Sequence, residues 1–236
     1  MEWTADGLLI GVRRHGDSSV IAEVMAVGHG RCLGLVRGGR STRLAAALQP
    51  GNTVQVTWRA RLEDHLGVFG VELLQARASA LIADRTKLYL SQLVCEHLRL
   101  LPEREPQDRL LGTALRLIDG DPDGVALARF ELAILDELGY GLDLTSCAVT
   151  GSQDELTHVS PKTGRAVSRA QAQPYLDRLL PLPGFLVGRG NASPSEITEA
   201  FALTTYFLQR QVWGPSGVLP SATRDDLVAL LAKAVE

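Results

Sequence analysis

Arginine is the residue type that carries the most chemistry in this chain. Arg31, Arg37, Arg40 and Arg43 stand around Gly38-Gly39 with no acidic residue among them, and Arg13-Arg14 and the pair Arg59 and Arg61 lie nearby in sequence. A guanidinium fork matches phosphate oxygens in charge and in geometry, so arginines spaced without intervening acids predict a surface that holds a phosphate backbone. Residues 1–80 contain nine Arg, no Lys and seven acids, a net of +2; the remainder holds 15 basic and 20 acidic residues, a net of -5. The formal charge of -3 over 236 residues therefore averages a basic first third with an acidic remainder, and it does not exclude a nucleic-acid partner. Rings that could stack on bases are few in the basic part, namely Trp3, Trp58 and Phe69. Contact through the backbone, with little sequence preference and strong weakening by salt, is the expectation. A merely solvated arginine face is the competing reading of the same charges.

Other chemistry finds little support. The chain has no G-x-x-x-x-G-K-[ST] phosphate loop, no H-E-x-x-H and no G-x-S-x-G. His15, His29, His65, His97 and His158 are dispersed and read as turn or surface residues. Asp136 and Glu137 read as the polar face of a helix, not as an acid/base pair. Cys32, Cys95 and Cys147 form no pairwise motif, which predicts free thiols and a reducing, cytoplasmic setting. The acidic N-terminus and the lack of a long apolar run predict neither a signal peptide nor a spanning helix. No catalytic residue, cofactor or metal is expected.

The elements that must position the arginines follow from hydrophobic period. Leu8–Arg14, Ser19–Val27, Arg31–Arg37, Thr53–Arg59 and Leu66–Leu74 are short, rich in Val, Ile and Leu, and separated by turn formers such as Gly28-His29-Gly30. Val54, Val56 and Trp58 alternate with Thr53, Gln55 and Thr57, which puts Trp58 in the core. An alanine-rich helix over 42–49 follows the third strand. Five strands with a helix after the third predict an OB-fold barrel; an SH3-like barrel would leave that helix unexplained. From Asp84 the period becomes helical: 84–101 stopped by Pro102, 108–118, and a helix that Asp121-Pro122 opens and Gly139 closes. Ser193-Pro194-Ser195-Glu196 predicts a capping box, with a helix running to Gly214-Pro215, and a last helix covers 224–234. The fold class is thus α+β and multidomain: an OB-fold domain over 1–80 and a helical domain over 81–236. Residues 147–172, rich in turn formers, interrupt the helices as an insertion, and 158–165 within them read as a small hairpin or knuckle.

Several short segments then resemble one family, the RecO recombination mediators of bacterial DNA repair. They are Leu9-Ile10-Gly11-Val12-Arg13-Arg14 with Gly16-Asp17-Ser18-Ser19, the Gly28-His29-Gly30-Arg31 turn, and Val36-Arg37-Gly38-Gly39-Arg40. In the second half, Phe130-Glu131-Leu132 through Leu138-Gly139-Tyr140 is followed by Asp143-Leu144, Cys147, Val159-Ser160-Pro161, Gly164-Arg165-Ala166-Val167, Arg178-Leu179-Leu180 and Leu219-Pro220-Ser221. The order of these pieces over nearly the whole chain is what makes the resemblance specific.

The resemblance implies an OB domain, a helical domain and a zinc-finger-like insertion. It implies binding of single- and double-stranded DNA and strand annealing. As partners it implies RecR and the C-terminal tail of the single-strand-binding protein, with recombinase loading as the outcome and no cofactor turnover. Many members carry two C-x-x-C pairs in the insertion. Here the corresponding positions are Cys147, Thr150, Ser168 and Gln171, so most metal ligands are missing and Ser168 is expected to cap a helix instead. The DNA-binding set is Arg13, Arg14, Arg31, Arg37, Arg40, Arg43, Arg59 and Arg61. Arg116 and Arg129 are the candidates for a basic rim around a hydrophobic slot for the acidic tail. Two other classes stay open: an OB-fold protein–protein adaptor that never touches DNA, and an enzyme assembled from dispersed residues.

Overall fold

The computed structural model describes residues 1–234; the last two residues of the predicted helical domain, 235 and 236, lie outside the described residues. The first five strands are β1 (Glu2–His15), β2 (Ser19–Ala26), β3 (Gly30–Val36), β4 (Thr53–Arg59) and β5 (Val68–Gln75). They close a barrel in the order β1-β2-β3-β5-β4. Closure depends on the length of β1. Its first half pairs with β4, Glu2 opposite Arg59 through Leu8 opposite Thr53, and its second half pairs with β2, down to His15 opposite Ser19. A register shift between Leu9 and Gly11 marks the bend between the two halves.

Burial explains the sequence pattern. Leu9, Val20, Ala22, Val24, Cys32, Val54, Val56, Trp58 and Phe69 fill the barrel interior. Leu8, Ile10, Ile21 and Met25 alternate with these on β1 and β2 and are also buried, since helix α3 (Arg85–Leu98) packs on β1. The middle of β1 and most of β2 are therefore apolar on both faces, whereas β3 and β4 face water on one side and alternate cleanly.

The helix after β3 is shorter than its alanine content suggests. Helix α1 (Thr42–Ala45) is a single turn, because the Asn52 amide donates to the carbonyls of Ala46 and Ala47 and draws the chain into a turn there. A short helix, α2 (Ala78–Ala83), precedes α3 and was not legible from the period. Asp84 caps α3 by accepting from the amides of Thr86 and Lys87; α3 ends at Leu98, and a further turn carries the chain to Pro102. Helix α4 (Asp108–Asp119) packs on α3.

The chain divides into two compact units, Met1–Pro122 and Asp123 onward. In the second, α5 (Gly124–Glu137) is capped by Asp123, not by Asp121: the Asp123 carboxylate accepts from the amides of Val125 and Ala126, leaving Pro122 outside the helix. Gly139 closes α5 as expected, at φ +82°, with Tyr140 donating back to the Leu135 carbonyl. A three-stranded sheet follows, β6 (Leu156–Val159), β7 (Ala166–Ser168) and β8 (Leu180–Pro181), in the order β7-β6-β8. The predicted hairpin over 158–165 is its β6–β7 connection.

Helix α6 (Arg169–Ala172) starts at Ser168, but the Ser168 side chain caps nothing. Helix α7 (Pro194–Leu208) begins with the predicted box: Ser193 Oγ accepts from the Glu196 amide while the Glu196 carboxylate accepts from the Ser193 amide. It does not stop at Gly214-Pro215. A π-helical turn over Gln209–Trp213 runs on into α8 (Gly214–Ser216), which absorbs Pro215 in its first turn and ends at Gly217. Helix α9 (Arg224–Lys233) packs with α5 and α7. Among the described residues no helix is long and apolar enough to cross a membrane.

Candidate nucleic-acid interface

The barrel gathers most of the basic residues at one end. Arg13 and Arg14 pair with Ile21 and Val20 near the end of β1, Val20 in turn pairs with Val36, and Arg37 follows directly. Arg40 extends this group: its amide donates to the Ser18 carbonyl and its Nη1 to the Asp17 carbonyl at 2.6 Å, tying the β1–β2 turn to the loop after β3. Arg43 sits on α1 in the same loop. Arg13, Arg14, Arg37, Arg40 and Arg43 are all exposed. Among the described residues, no hydrogen bond or ion pair engages the guanidinium of Arg13, Arg14, Arg37 or Arg43, so these forks are available to an anion.

Arg59 and Arg61 lie at the other end. Arg59 pairs across the ladder with Glu2 and forms a 2.7 Å ion pair with it; the two exposed groups shift each other, the carboxyl down and the guanidinium up, chiefly through that hydrogen bond. From Glu2 to Arg13 the strand path is about 36 Å at 3.3 Å per residue, so the eight arginines do not form one patch.

Arg31 departs furthest from the expected role. Its guanidinium is mostly buried, meets Glu23 at 2.5 Å and Glu103 at 3.5 Å, and donates from Nε to the Leu101 carbonyl at 2.6 Å. These internal acceptors engage the Arg31 fork, whereas the forks of Arg13 and Arg37 have no such partner among the described residues. Arg77 is likewise committed: it is buried against Asp119, at 2.5 and 2.9 Å, and bonds to Gly51, Thr53 and Gln75. Part of the barrel's apparent positive charge is thus neutralised from α4 and the chain before it, beyond the stretch over which the charge was counted.

At the Arg59 end the structure assembles aromatic rings that the sequence scatters. Trp3 opposes Trp58, and Trp58 opposes Phe69, along one row of the β1–β4–β5 ladder. Trp58 is core, as its alternation implied, yet Trp3 covers it in a near-parallel arrangement, centroids 5.8 Å apart, and His29 stacks on Trp3 at 4.0 Å. The Arg104 guanidinium lies 5.7 Å from the Trp58 ring centroid and donates to the carbonyls of Glu63 and His65. Gly30 makes this possible: at φ +68°, an added Cβ would lie 1.8 Å from the Glu105 carbonyl oxygen, so only glycine lets residues 103–105 cross the start of β3. The remaining histidines are mostly exposed, but His97 is buried in α3 with Nδ1 2.7 Å from the Leu93 carbonyl, against expectation.

Arg116 and Arg129 fall in different compact units. Arg116 is exposed on α4 and donates to Thr113 Oγ1; Arg129 is exposed on α5 and donates to the Phe185 carbonyl. In the second unit, sequence reasoning missed a groove of about 770 Å³ between α7 and α9, lined by Phe201, Ala202, Thr205, Val228 and Ala229, with Arg210 and Arg224 at its polar margin. Arg224 is held there by a buried bidentate pair with Glu131, 2.8 and 3.0 Å, and faces the Phe201 and Trp213 rings. Only helical spacing across two distant segments would have revealed this groove.

The insertion does not fit zinc. Around Cys147 stand Thr150 and Ser168, which hydrogen-bond its sulfur; burial alone would raise the thiol, but these bonds outweigh it and bring it down to about 6. One thiolate with hydroxyl and amide neighbours is not a zinc ligand set, and among the described residues no three His, Cys, Asp or Glu side chains group to hold a metal.

Two family models match this chain in sequence order: "Recombination protein O N terminal" over residues 1–77 and "Recombination protein O C terminal" over 82–219. The DNA repair protein RecO of Chelativorans sp. (strain BNC1) is 50% identical over 239 residues, covering 99% of this chain and 96% of the relative. That of Sinorhizobium medicae (strain WSM419) is 50% identical over 240 residues, with 100% and 96% covered, and that of Agrobacterium fabrum 48% over 243, with 100% and 95%. The barrel followed by helices, and the match of both family models in order along the chain, have one reading: this protein belongs to the RecO family.

Proposed function

We propose that this protein is a non-enzymatic, cytoplasmic mediator of recombination in DNA repair that binds DNA strands, anneals them and helps load recombinase onto DNA coated by single-strand-binding protein. The observation that carries this reading is the convergence of Arg13, Arg14, Arg37, Arg40 and Arg43 at one end of the barrel, four of them without an internal acceptor among the described residues. The strand order β1-β2-β3-β5-β4, with α1 between β3 and β4, supports the OB-fold assignment, in which strand ends and loops meet the nucleic acid. Annealing requires strands that are concentrated and charge-neutralised while their bases stay free. A guanidinium surface does this by displacing counterions. In this division of labour the barrel end holds DNA and the helices of the second compact unit hold partners, RecR among them.

The tail of the single-strand-binding protein is acidic and needs an apolar slot with basic groups at its edge. The α7–α9 groove, with Phe201 and Val228 in its wall and Arg210 at its margin, offers such a slot. A protein-only adaptor is the contrasting reading.

The deciding measurement is fluorescence anisotropy of labelled single strands at several salt concentrations, wild type against the Arg37→Glu/Arg40→Glu double variant. The reversal should weaken binding and flatten the salt slope by roughly one for each phosphate no longer held. Unchanged affinity and slope would overturn the assignment. Annealing of oligonucleotides coated by single-strand-binding protein, run on the same two proteins, tests the mediator step.

A further inference from the structure

The arginine-lined end of the barrel accounts for backbone contact, but it leaves the cleft at the opposite end without a role. That cleft, of about 320 Å³, is lined by Trp3, His29, Trp58 and Arg104, together with Glu2, Gly28 and Glu63. Its volume lies at the lower end of the range for small-ligand sites, too small for a duplex and sufficient for one flat ring. Two kinds of flat surface converge there. The Trp3–His29 stack is only partly buried, and the Arg104 guanidinium is fixed by its bonds to the Glu63 and His65 carbonyls and by the backbone bond from the Arg104 amide to the Arg31 carbonyl, 2.9 Å. Rings and guanidinium planes are the surfaces on which unpaired bases stack.

The remaining groups suit the same occupant. Gly28 contributes no side chain to the lining, and an added Cβ there would meet nothing within 4 Å, so the space beside it is open. Cys32 forms part of the wall as a neutral thiol, its ionisation pushed up to about 11 by burial. Outside the cleft the exposed Arg61, with no partner among the described residues, follows Arg59 and Ala60 and can meet a phosphate flanking a base held inside.

We propose that this cleft takes a single unstacked nucleobase of single-stranded DNA, seated against the Trp3–His29 stack beside Arg104. The proposal rests on the DNA-binding reading of the barrel and adds to it a base contact roughly one strand length from the phosphate-binding end. A strand bound to both would lie along the barrel, held by its backbone at one end and by a base at the other.

The test compares a labelled oligothymidylate with an abasic oligonucleotide of the same length and charge. It uses the full chain, wild type and the His29→Ala, Trp3→Leu and Arg37→Glu/Arg40→Glu variants. Wild type should bind the oligothymidylate at least about 5-fold more tightly than the abasic strand. His29→Ala and Trp3→Leu should bring the two affinities together without weakening the abasic strand, whereas the arginine reversals should weaken both alike. Equal affinity of wild type for the two strands overturns the base site and leaves DNA binding standing. Binding of neither strand overturns the DNA reading and the base site with it. The abasic comparison needs no substitution, so a folding defect in Trp3→Leu does not decide the outcome.

Discussion

Arg31 and Glu23 sit diagonally across the β2–β3 ladder on one face, and the Arg31 Nη1 meets the Glu23 carboxylate at 2.5 Å while Arg99 reaches its other oxygen at 2.8 Å. Cross-strand partners of opposite charge at this diagonal are a structural device. Here they secure the chain after α3 to the barrel wall.

Arg31→Ala should therefore lower stability without changing DNA binding. The substitution leaves the largely buried Glu23 carboxylate with one cationic partner, a change expected to cost about 1–3 kcal/mol. Denaturant unfolding should show the destabilisation, and the salt slope of DNA binding should match wild type. A slope reduced as in the Arg37→Glu/Arg40→Glu variant would show that Arg31 contacts DNA despite its internal partners.

In the second unit, Glu131 and Arg224 are both nearly inaccessible, at 0% and 4% side-chain exposure. Removing one partner of such a pair leaves a buried charge, so Arg224→Ala is expected to cost about 3–5 kcal/mol. Joint replacement by Glu131→Leu and Arg224→Met should cost less than the sum of the single changes. A double-mutant cycle by denaturant unfolding measures the difference, and additive losses would refute the coupling.

Cys147 links stability to pH. Its folded ionisation near 6 lies below that of an unfolded cysteine, about 8.5, so between these values the unfolded chain binds more protons than the folded one. The stabilisation is complete above the unfolded value and is lost as pH falls through 6. Melting curves from pH 6 to 9 should show wild type gaining on Cys147→Ala as pH rises. Parallel curves would show that the sulfur stays protonated.

Gly30→Ala tests the crossing over β3. The added methyl group meets the Glu105 carbonyl in a left-handed backbone position, so residues 103–105 must withdraw and carry Arg104 off Trp58. A stability loss of about 1–3 kcal/mol with altered tryptophan emission is expected. Unaltered emission would mean that Arg104 stays in place.

The strands, most helices and the Ser193 cap were legible because each announces itself locally, through alternation, a 3.6-residue period or a side chain next to the amide it accepts from. Cap choice failed where two aspartates competed: Asp121-Pro122 has the better local signature, but Asp123 has the geometry. The arginine-lined end was legible as charge. What was not legible was which arginines are internally engaged, since the acceptors of Arg31 and Arg77 include Glu103 and Asp119, far along the chain. The Trp3–His29 stack was hidden for the same reason: it depends on register between β1 and β4 and on where the β2–β3 turn falls.

The Arg104 amide bonded to the Arg31 carbonyl joins positions more than seventy residues apart. During synthesis the five strands emerge first, and each hairpin can form as it appears. The aromatic end of the barrel can be completed only after the chain through Glu105 has been released, so its closure follows a long-range encounter whose loop-closure entropy slows it. Until then Trp58 has no guanidinium over it. A stalled or truncated chain ending near residue 80 would lack that guanidinium, so release of the chain through Glu105 is the earliest point at which the aromatic end of the barrel can be complete.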